Sequence, residues 1–593
     1  MTKEPPPPEI FLRRLQLARR TSVALLSILS VVLLSVSFAP FNQWYLAYVA
    51  LVPWLMALEG GMSRRWTLLW AALAGLLFWG ANLYWLTWVT IEGYVATVLY
   101  LSLYWLVAGW IIRAAGRRNL PLWLVLPVVW VSLEFLRTYV ISGFPWFFLA
   151  QSQYARTHLI QIADVTGQYG LSFFVAMVNG AIMDLLTFPL FARVAGGGAR
   201  MCRWAVAGLL TTAGVGLFIL GYGAFRLGQH TTHEGPVIGL VQHAYPNTLR
   251  GREAPAKEIF DHHLRSSEAF IGAGCDLVVW PETMLPGGMN REFLDFDPAQ
   301  LSPDGQAYLP GVQGMARQLG QLSQRLGCPI LAGGVSYHLN PDMTSDRLLT
   351  VRNSALWFDA TDRPTAMYSK MHLVPFGEYV PFKQGWPALH KFLRGFVPSA
   401  MEQLDPGLAC QEFRLRRGEK TWSLATPICF EGTFADICRQ MVVSEGAKRV
   451  DILANMSNDG WFVYDWGSSH FRGSTEHAQH LSQYCFRAVE ARTPVIRAVN
   501  TGISASVDSS GRIQATVQSQ GQRAMVIGTL LLDGARGGDG QWLSGHGPKV
   551  LVDDRVSLYS LVGDVFAWAV SGGGCVLALW LAWKKRTEKK DKQ

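Results

Sequence analysis

Three short stretches carry side chains that could together perform acyl chemistry. Thr426-Pro427-Ile428-Cys429-Phe430-Glu431-Gly432 follows an apolar run that starts at Trp422 and precedes a helical stretch near Thr433. Trp280-Pro281-Glu282 follows one apolar strand, and Tyr368-Ser369-Lys370-Met371-His372-Leu373 follows another strand-like segment. A cysteine at the end of a buried strand, just before a helix, has its sulfur held rigidly. Nearby backbone N–H groups can lower the thiol pKa and stabilise an oxyanion. A small buried cysteine is more often a packing residue, so the reading depends on the groups around it. Acyl transfer through a thioester needs a thiolate, a base for its proton, and a cation or N–H donors for the tetrahedral oxyanion. Cys429, Glu282 and Lys370 are of the required types.

The elements that must position these groups belong to a chain of 593 residues, too long for one ordinary domain. Half of the residues are hydrophobic, 16% are charged, and there are 23 Trp. This membrane-protein composition is concentrated before residue 230, whereas residues 235–550 carry ordinary charge. Uncharged or nearly uncharged runs at Thr21–Ser37, Trp44–Leu58, Trp66–Trp88, Gly93–Ile112, Pro121–Leu136, Leu171–Leu190 and Trp204–Phe225 read as seven spans, and Val565–Trp583 as an eighth. The second and fifth are the shortest. Glu134 and Asp184 lie in these runs, and no role is read into them.

The net charge of +9 sits in short segments beside the apolar runs, which argues for a topology signal and against nucleic acid. Arg64-Arg65, Arg113 with Arg117-Arg118, and Arg193 through Arg203 fall in alternate loops, on the side of the basic N-terminal tail. By the positive-inside rule that side is cytoplasmic. Seven crossings leave the chain outside, and the last returns a tail with Lys584-Lys585-Arg586 to the cytoplasm. The expected organisation is therefore a cytoplasmic tail (1–20), a seven-span domain (21–230), an extracytoplasmic domain (235–540), a C-terminal membrane helix (561–583) and a basic cytoplasmic tail (584–593). In a Gram-negative bacterium the soluble domain would be periplasmic.

That domain alternates β-rich and helical stretches. Candidate strands are Val237–Val241, Leu277–Trp280, Ile330–Val335, Ser354–Phe358, Ser423–Ile428, Ile452–Asn455, Val495–Val499, Ile503–Val507 and Met525–Leu531. Candidate helices are Ala256–Ile271, Val312–Leu326, Phe434–Val443 and Glu476–Ala491. Near-continuous apolar strands separated by amphipathic helices predict layered α/β packing. In such folds active residues gather at strand ends.

Trp280-Pro281-Glu282, Lys370-Met371-His372-Leu373-Val374-Pro375-Phe376-Gly377-Glu378 and Cys429-Phe430-Glu431 together resemble the Glu-Lys-Cys constellation of the nitrilase (carbon-nitrogen hydrolase) superfamily. With the spans, with Asn455-Met456-Ser457-Asn458-Asp459-Gly460-Trp461-Phe462 and with Arg497-Ala498-Val499-Asn500-Thr501-Gly502-Ile503-Ser504, the chain resembles the membrane-bound apolipoprotein N-acyltransferase branch. The resemblance implies a polytopic α-helical membrane domain joined to an α/β nitrilase-like α-β-β-α sandwich. It implies Cys429 as nucleophile, Glu282 as base, and Lys370 as the cation that favours thiolate and oxyanion, with the Phe430 N–H as second donor. Glu378 and Glu431 resemble residues that position Lys370 and the attacking group; as structural residues they would form ion pairs instead. Asn455, Asn458 and Trp461 fall in the matching motifs as supporting or substrate-binding residues, with Trp461 and Phe462 either a flap over an acyl chain or core.

The implied partners are a phospholipid acyl donor, a diacylglyceryl-apolipoprotein acceptor and membrane lipid, with no cofactor, no nucleic acid and a monomeric chain in the bacterial inner membrane. Two departures stand out. Gly251 occupies a place where the resemblance implies a Trp, and Phe430 one where it implies a Tyr. The histidines show no metal-ligand spacing, and the eight cysteines suggest no disulfide framework. His372 reads as packing and Cys438 as core. Rival readings are a membrane-anchored nitrilase-type amide hydrolase, which would need only one anchor, and an inactive scaffold or transporter with a nitrilase-like sensor.

Overall fold

The computed structural model describes residues 20–59, 63–187, 191–193, 199–201, 203–247, 254–340, 349–397, 403–465, 471–517, 528–534 and 545–590. The N-terminal tail before residue 20, the surroundings of Cys202, Gly251, the start of the expected strand at Met525 and the last three residues lie outside these. The chain divides into two compact units. One holds residues 1–84, 94–229 and 564–593; the other holds residues 85–93 and 230–563.

The first unit is helical. Ile91–Gly116, Leu122–Ser142, Gln168–Thr187, Trp204–Leu227 and Val565–Lys585 are long and apolar enough to cross a membrane, while Ser22–Ser37 and Trp44–Glu59 are shorter. On the fourth of the long helices Leu210, Leu217 and Phe218 are 66%, 72% and 62% exposed, an arrangement that suits lipid and not water. The run expected over Trp44–Leu58 is broken into a 3-10 turn at Trp44–Tyr48 and a helix at Val52–Glu59. Pro53 cannot continue an upstream helix, since it lacks the N–H and its ring meets the carbonyl four residues back. The Leu51 N–H at the break donates to Asn179 Oδ1 (2.9 Å).

The run expected to reach Trp88 ends as a helix at Asn82. There the Asn82 side chain takes the Phe78 carbonyl (2.7 Å) and reaches Ser35 Oγ (2.7 Å), a side-chain competitor to helix continuation. Both acids in the apolar runs have structural partners. Asp184 accepts the N–H groups of Leu122 (3.0 Å) and Trp123 (2.9 Å), capping a helix start, and Glu134 accepts Leu149 N–H (2.8 Å) and Trp130 Nε1 (3.1 Å).

The second unit is built on twelve strands in two six-stranded sheets. They are β1 Ile238–Gln242, β2 Leu277–Val279, β3 Ile330–Leu339, β4 Leu349–Phe358, β5 Pro364–Ser369, β6 Phe413–Arg417, β7 Lys420–Ala425, β8 Ile452–Asn458, β9 Val495–Asn500, β10 Ala505–Val507, β11 Ile513–Thr516 and β12 Gly528–Leu532. The sheet orders are β12-β1-β2-β3-β4-β5 and β11-β10-β9-β8-β7-β6. Each has a parallel centre, β1-β2-β3 or β7-β8-β9, flanked by antiparallel strands. The sheets lie against one another through β1 and β9.

Helices Ala256–Ser267 and Pro303–Leu326 cover the first sheet, with Phe260, Val312, Leu319 and Leu322 in one core with Val278, Trp280, Ile330 and Phe358. Helix Glu476–Ala491 covers the second, and helix Ala435–Val442 packs against that helix. The result is the layered α/β packing that the strand and helix pattern predicts, in the α-β-β-α form that the resemblance implies. Residues 85–93 join this unit by rings: Trp85 meets Phe462 edge-on (4.8 Å between centroids) and Trp88 stacks on Tyr464 (6.0 Å).

Candidate active site

Cys429 stands at a sharp turn whose shape follows from its neighbours. Strand β7 stops at Ala425, three residues earlier than where the apolar run suggests, because Pro427 has no N–H to give the ladder. Ile428 rejoins β8 by a single bridge to Met456. Asn455 Nδ2 holds the Pro427 carbonyl (2.9 Å), so this side chain braces the turn from β8. Cys429 then takes a left-handed conformation (φ 51°) and opens a 3-10 turn, Cys429–Thr433, ahead of helix Ala435–Val442. A non-glycine residue held there is strained, and the surroundings must over-determine it.

Glu431 supplies part of that restraint. Its carboxylate accepts the N–H groups of Ile428 (2.9 Å), Met371 (2.7 Å) and His372 (2.9 Å) and the Tyr368 hydroxyl (2.9 Å). It therefore ties the loop that follows Lys370 to the turn that carries Cys429. Burial pushes its carboxyl up to about 7, although these donors work against the shift.

Glu282 lies three residues past β2. Its backbone sits so close to β3 that a Cβ on Gly333 would come within 2.6 Å of the Glu282 Cα. Oε2 accepts the Asn458 N–H (2.9 Å), and Oε1 accepts Asn353 Nδ2 (2.6 Å) while facing Lys370 Nζ at 3.5 Å. Lys370 directly follows β5 and is fully buried; its ammonium donates to Glu378 Oε1 (2.9 Å), an oxygen that Asn353 Nδ2 also reaches (3.0 Å). Glu378 is held in turn by the Val374 N–H (2.8 Å). Burial opposes the Lys370 charge, but Glu378, Glu282 and Cys429 outweigh it and hold the ammonium above the ordinary lysine value.

Cys429 answers to both partners. Burial first, and then the Glu282 charge, push its thiol well above the ordinary value, while Lys370 and hydrogen bonding with Ser457 pull it down. The resting site therefore holds a neutral thiol beside a carboxylate and an ammonium. Alkylation of Cys429 by iodoacetamide should accordingly keep rising as the pH passes about 9, with no plateau near neutrality, because only the thiolate reacts. Rates followed by mass spectrometry of the Cys429 peptide from pH 6 to 10 check this; a plateau below pH 8 would contradict it.

The structure thus brings Glu282, Lys370, Cys429, Glu378, Glu431 and Asn458 together, with Asn455 acting through the backbone. Glu378 forms the ion pair with Lys370, whereas Glu431 binds backbone N–H groups and Tyr368. The Phe430 ring packs edge-on to Phe434 (5.0 Å), and the His372 ring lies against Phe434 (4.2 Å). Trp461 is half-buried in the turn Asp459–Phe462, and Phe462 packs on Trp85. Cys438 is buried, its thiol pushed up to about 12 by burial.

Two features escape a reading by motifs. Asn353, in the middle of β4, is shared between both glutamates. A buried ionic group also lies near Cys429: Asp459 accepts Arg497 Nη2 (2.6 Å), and His480 Nδ1 lies 3.2 Å from both Asp459 Oδ1 and Glu476 Oε1. Asp459, Glu476 and His480 offer ligand atoms within 4.8 Å of one another. The guanidinium of Arg497, which also reaches His480 Nδ1 (3.0 Å), already places a fixed cation among them, so the set does not suit a metal ion.

Residues 30–181 match the model of the apolipoprotein N-acyltransferase N-terminal domain, and residues 238–537 match that of the carbon-nitrogen hydrolases. A relative from Geobacter metallireducens named apolipoprotein N-acyltransferase is 30% identical over 95% of this chain and 96% of its own. Relatives of the same name from Rhodopirellula baltica and Pasteurella multocida are each 27% identical, over 93% and 81% of this chain and 95% and 84% of theirs. A nitrilase-superfamily amidase structure from Nesterenkonia AN1 covers 57% of this chain and 94% of its own at 14% identity and a TM-score of 0.31, too slight a likeness to carry an argument.

Proposed function

Because this chain belongs to the apolipoprotein N-acyltransferase family, we propose that it moves a fatty acyl chain from a membrane phospholipid to the α-amino group of an apolipoprotein's N-terminal diacylglyceryl-cysteine, through a thioester on Cys429. The observation that carries this reading is the buried set in which one Glu282 oxygen faces the Lys370 ammonium while the charges of both act on the Cys429 thiol.

Glu282 takes the thiol proton as the sulfur attacks the acyl ester carbonyl. The oxyanion forms against Lys370 and the Phe430 N–H. Collapse breaks the ester C–O bond, and Glu282 returns the proton to the leaving lysophospholipid oxygen. The amine of the lipoprotein cysteine then attacks the thioester, gives its proton to Glu282, and forms the amide as the thiol is regenerated. Glu378 and Asn353 fix Lys370 and Glu282, and Glu431 and Asn455 fix the nucleophile's turn. Asn458 orients the second oxygen of Glu282.

Both substrates are anchored in one bilayer leaflet, which accounts for a nitrilase-like unit in a chain with membrane-spanning helices. In this reading the catalytic unit lies on the extracytoplasmic face of the inner membrane, the side opposite the basic loops, and one copy of the chain carries the whole reaction. Water must be kept from the thioester, since hydrolysis discards the acyl chain.

The test is incubation of the full chain in detergent or vesicles with phospholipid labelled in its acyl chains and a diacylglyceryl peptide. The expected result is label on Cys429 without the peptide, then label as an amide on the peptide's N-terminus. Release of labelled fatty acid alone would instead mark a hydrolase.

A further inference from the structure

The strained carbonyl of Cys429 has a partner that the reaction scheme does not use. Tyr484, on helix Glu476–Ala491, is fully buried, and its hydroxyl donates to the Cys429 carbonyl (3.0 Å). Its ring is confined on several sides. It fills the space that Gly432 leaves, since a Cβ there would meet Tyr484 Cε1 and the hydroxyl at 2.4 Å. The Arg497 guanidinium lies 4.8 Å from the ring centroid, a cation–π contact. His480, one turn earlier on the same helix, places Nε2 3.3 Å from the Tyr484 oxygen.

We propose that Tyr484 is a positioning residue for the nucleophile, its hydroxyl holding the Cys429 carbonyl in the left-handed turn while His480 orients that hydroxyl. This inference rests on Cys429 being the acylated residue.

A hydroxyl has one proton to donate. Given to the Cys429 carbonyl, it restrains the turn; given to a bare His480 nitrogen, it does not. The groups around His480 decide between these. On the Nδ1 side stand the carboxylates of Asp459 and Glu476, each at 3.2 Å, with Arg497 Nη2 at 3.0 Å; on the Nε2 side stands Tyr484, and His477 adds a further buried ring. Burial and Arg497 oppose charge on His480, but the two carboxylates outweigh them and favour the protonated ring. A protonated Nε2 donates to the Tyr484 oxygen, leaving the hydroxyl proton for Cys429. The buried ionic group is thereby linked to the nucleophile's backbone through one side chain.

Tyr484→Phe tests this, because Phe keeps the ring in the Gly432 slot and beside Arg497 and removes only the hydroxyl. Single-turnover formation of the Cys429 acyl-thioester is followed by mass spectrometry across a range of phospholipid concentrations, on the folded, full-length chain. The expected result is a saturating rate lower by roughly five- to tenfold, the equivalent of one hydrogen bond. The half-saturating lipid concentration should stay unchanged, and the melting temperature should fall by no more than a few degrees, the cost of one hydrogen bond. A saturating rate within twofold of the parent overturns the proposal, as does a rate loss that only tracks lost folded protein or raised half-saturation. If the parent itself forms no adduct at Cys429, it is the nucleophile assignment that falls.

Discussion

Replacing Cys429 with Ala will abolish acyl transfer, lowering turnover by at least ~10⁴-fold, as expected when the nucleophile of a covalent mechanism is removed. The effect should be confined to chemistry. Cys429 begins the turn but does not hold it: the braces are Asn455 on the Pro427 carbonyl and Glu431 on the Ile428, Met371 and His372 N–H groups, and both remain in the variant. The melting temperature should therefore move little, and phospholipid should still bind. Cys429→Ser is the sharper version. It preserves shape but offers a far less acidic nucleophile, so a slow residual ester adduct on residue 429 is the most that should form. Turnover and adduct mass measured side by side check both variants. Transfer persisting in Cys429→Ala would remove the thioester from the mechanism.

Lys370→Met is expected to do two kinds of damage. The ammonium serves Glu378 Oε1 at 2.9 Å and Glu282 Oε1 at 3.5 Å from a fully buried position. Deleting it leaves the buried Glu282 and the partly buried Glu378 without their cation, beside Asn353 and the Asn458 and Val374 N–H groups; removing one partner of a buried ion pair costs about 3–5 kcal/mol. Carboxylates that have lost their cation are costly only while charged, so the folded variant gains from their protonation. Its stability deficit should shrink as the pH falls towards the ordinary glutamate value, roughly 4.3, and grow as the pH rises. Catalysis should fall by at least ~10³-fold, since one oxyanion-stabilising group alone is worth about that much. Melting curves from pH 4 to 8 alongside turnover at neutrality test both parts. Lys370→Arg keeps the charge and should recover most of the stability but little of the activity, because a planar guanidinium cannot place its charge where the compact ammonium sits.

Glu282, Lys370 and Cys429, the triad proposed here, could be singled out in the sequence because each follows a strand, and strand ends in layered α/β folds are where side chains escape the ladder. Helix Glu476–Ala491 was legible to its last residue, and the chain after it turns through Arg492 in the left-handed region (φ 48°). What stayed hidden has a physical cause. Asn353 meets Glu282, and Arg497 meets Asp459, across 71 and 38 residues of chain, and no spacing encodes such meetings. Their trace is chemical: Asn353 is a polar residue inside the strand Leu349–Phe358, and Arg497 is a charge inside Val-Ile-Arg-Ala-Val-Asn. Such groups do not go into a core without partners. Tyr484 left no such trace, since an aromatic on the buried face of a helix reads as packing. The break at Pro53 was foreseeable from proline alone, whereas the stop at Asn82 depends on a side chain reaching back to the Phe78 carbonyl.

The nine residues 85–93 carry a consequence for how the molecule comes into being. They are made early, between two apolar helices, yet their rings complete a body whose other parts run from residue 230 to 563. Within that body the first strand, β1, pairs with the last, β12, some 290 residues later. No contiguous gene segment therefore encodes the catalytic body. A ribosome must deliver almost the whole polypeptide before it can close, and a fragment cut at the apparent border near residue 230 would leave Phe462 and Tyr464 without the indoles that cover them.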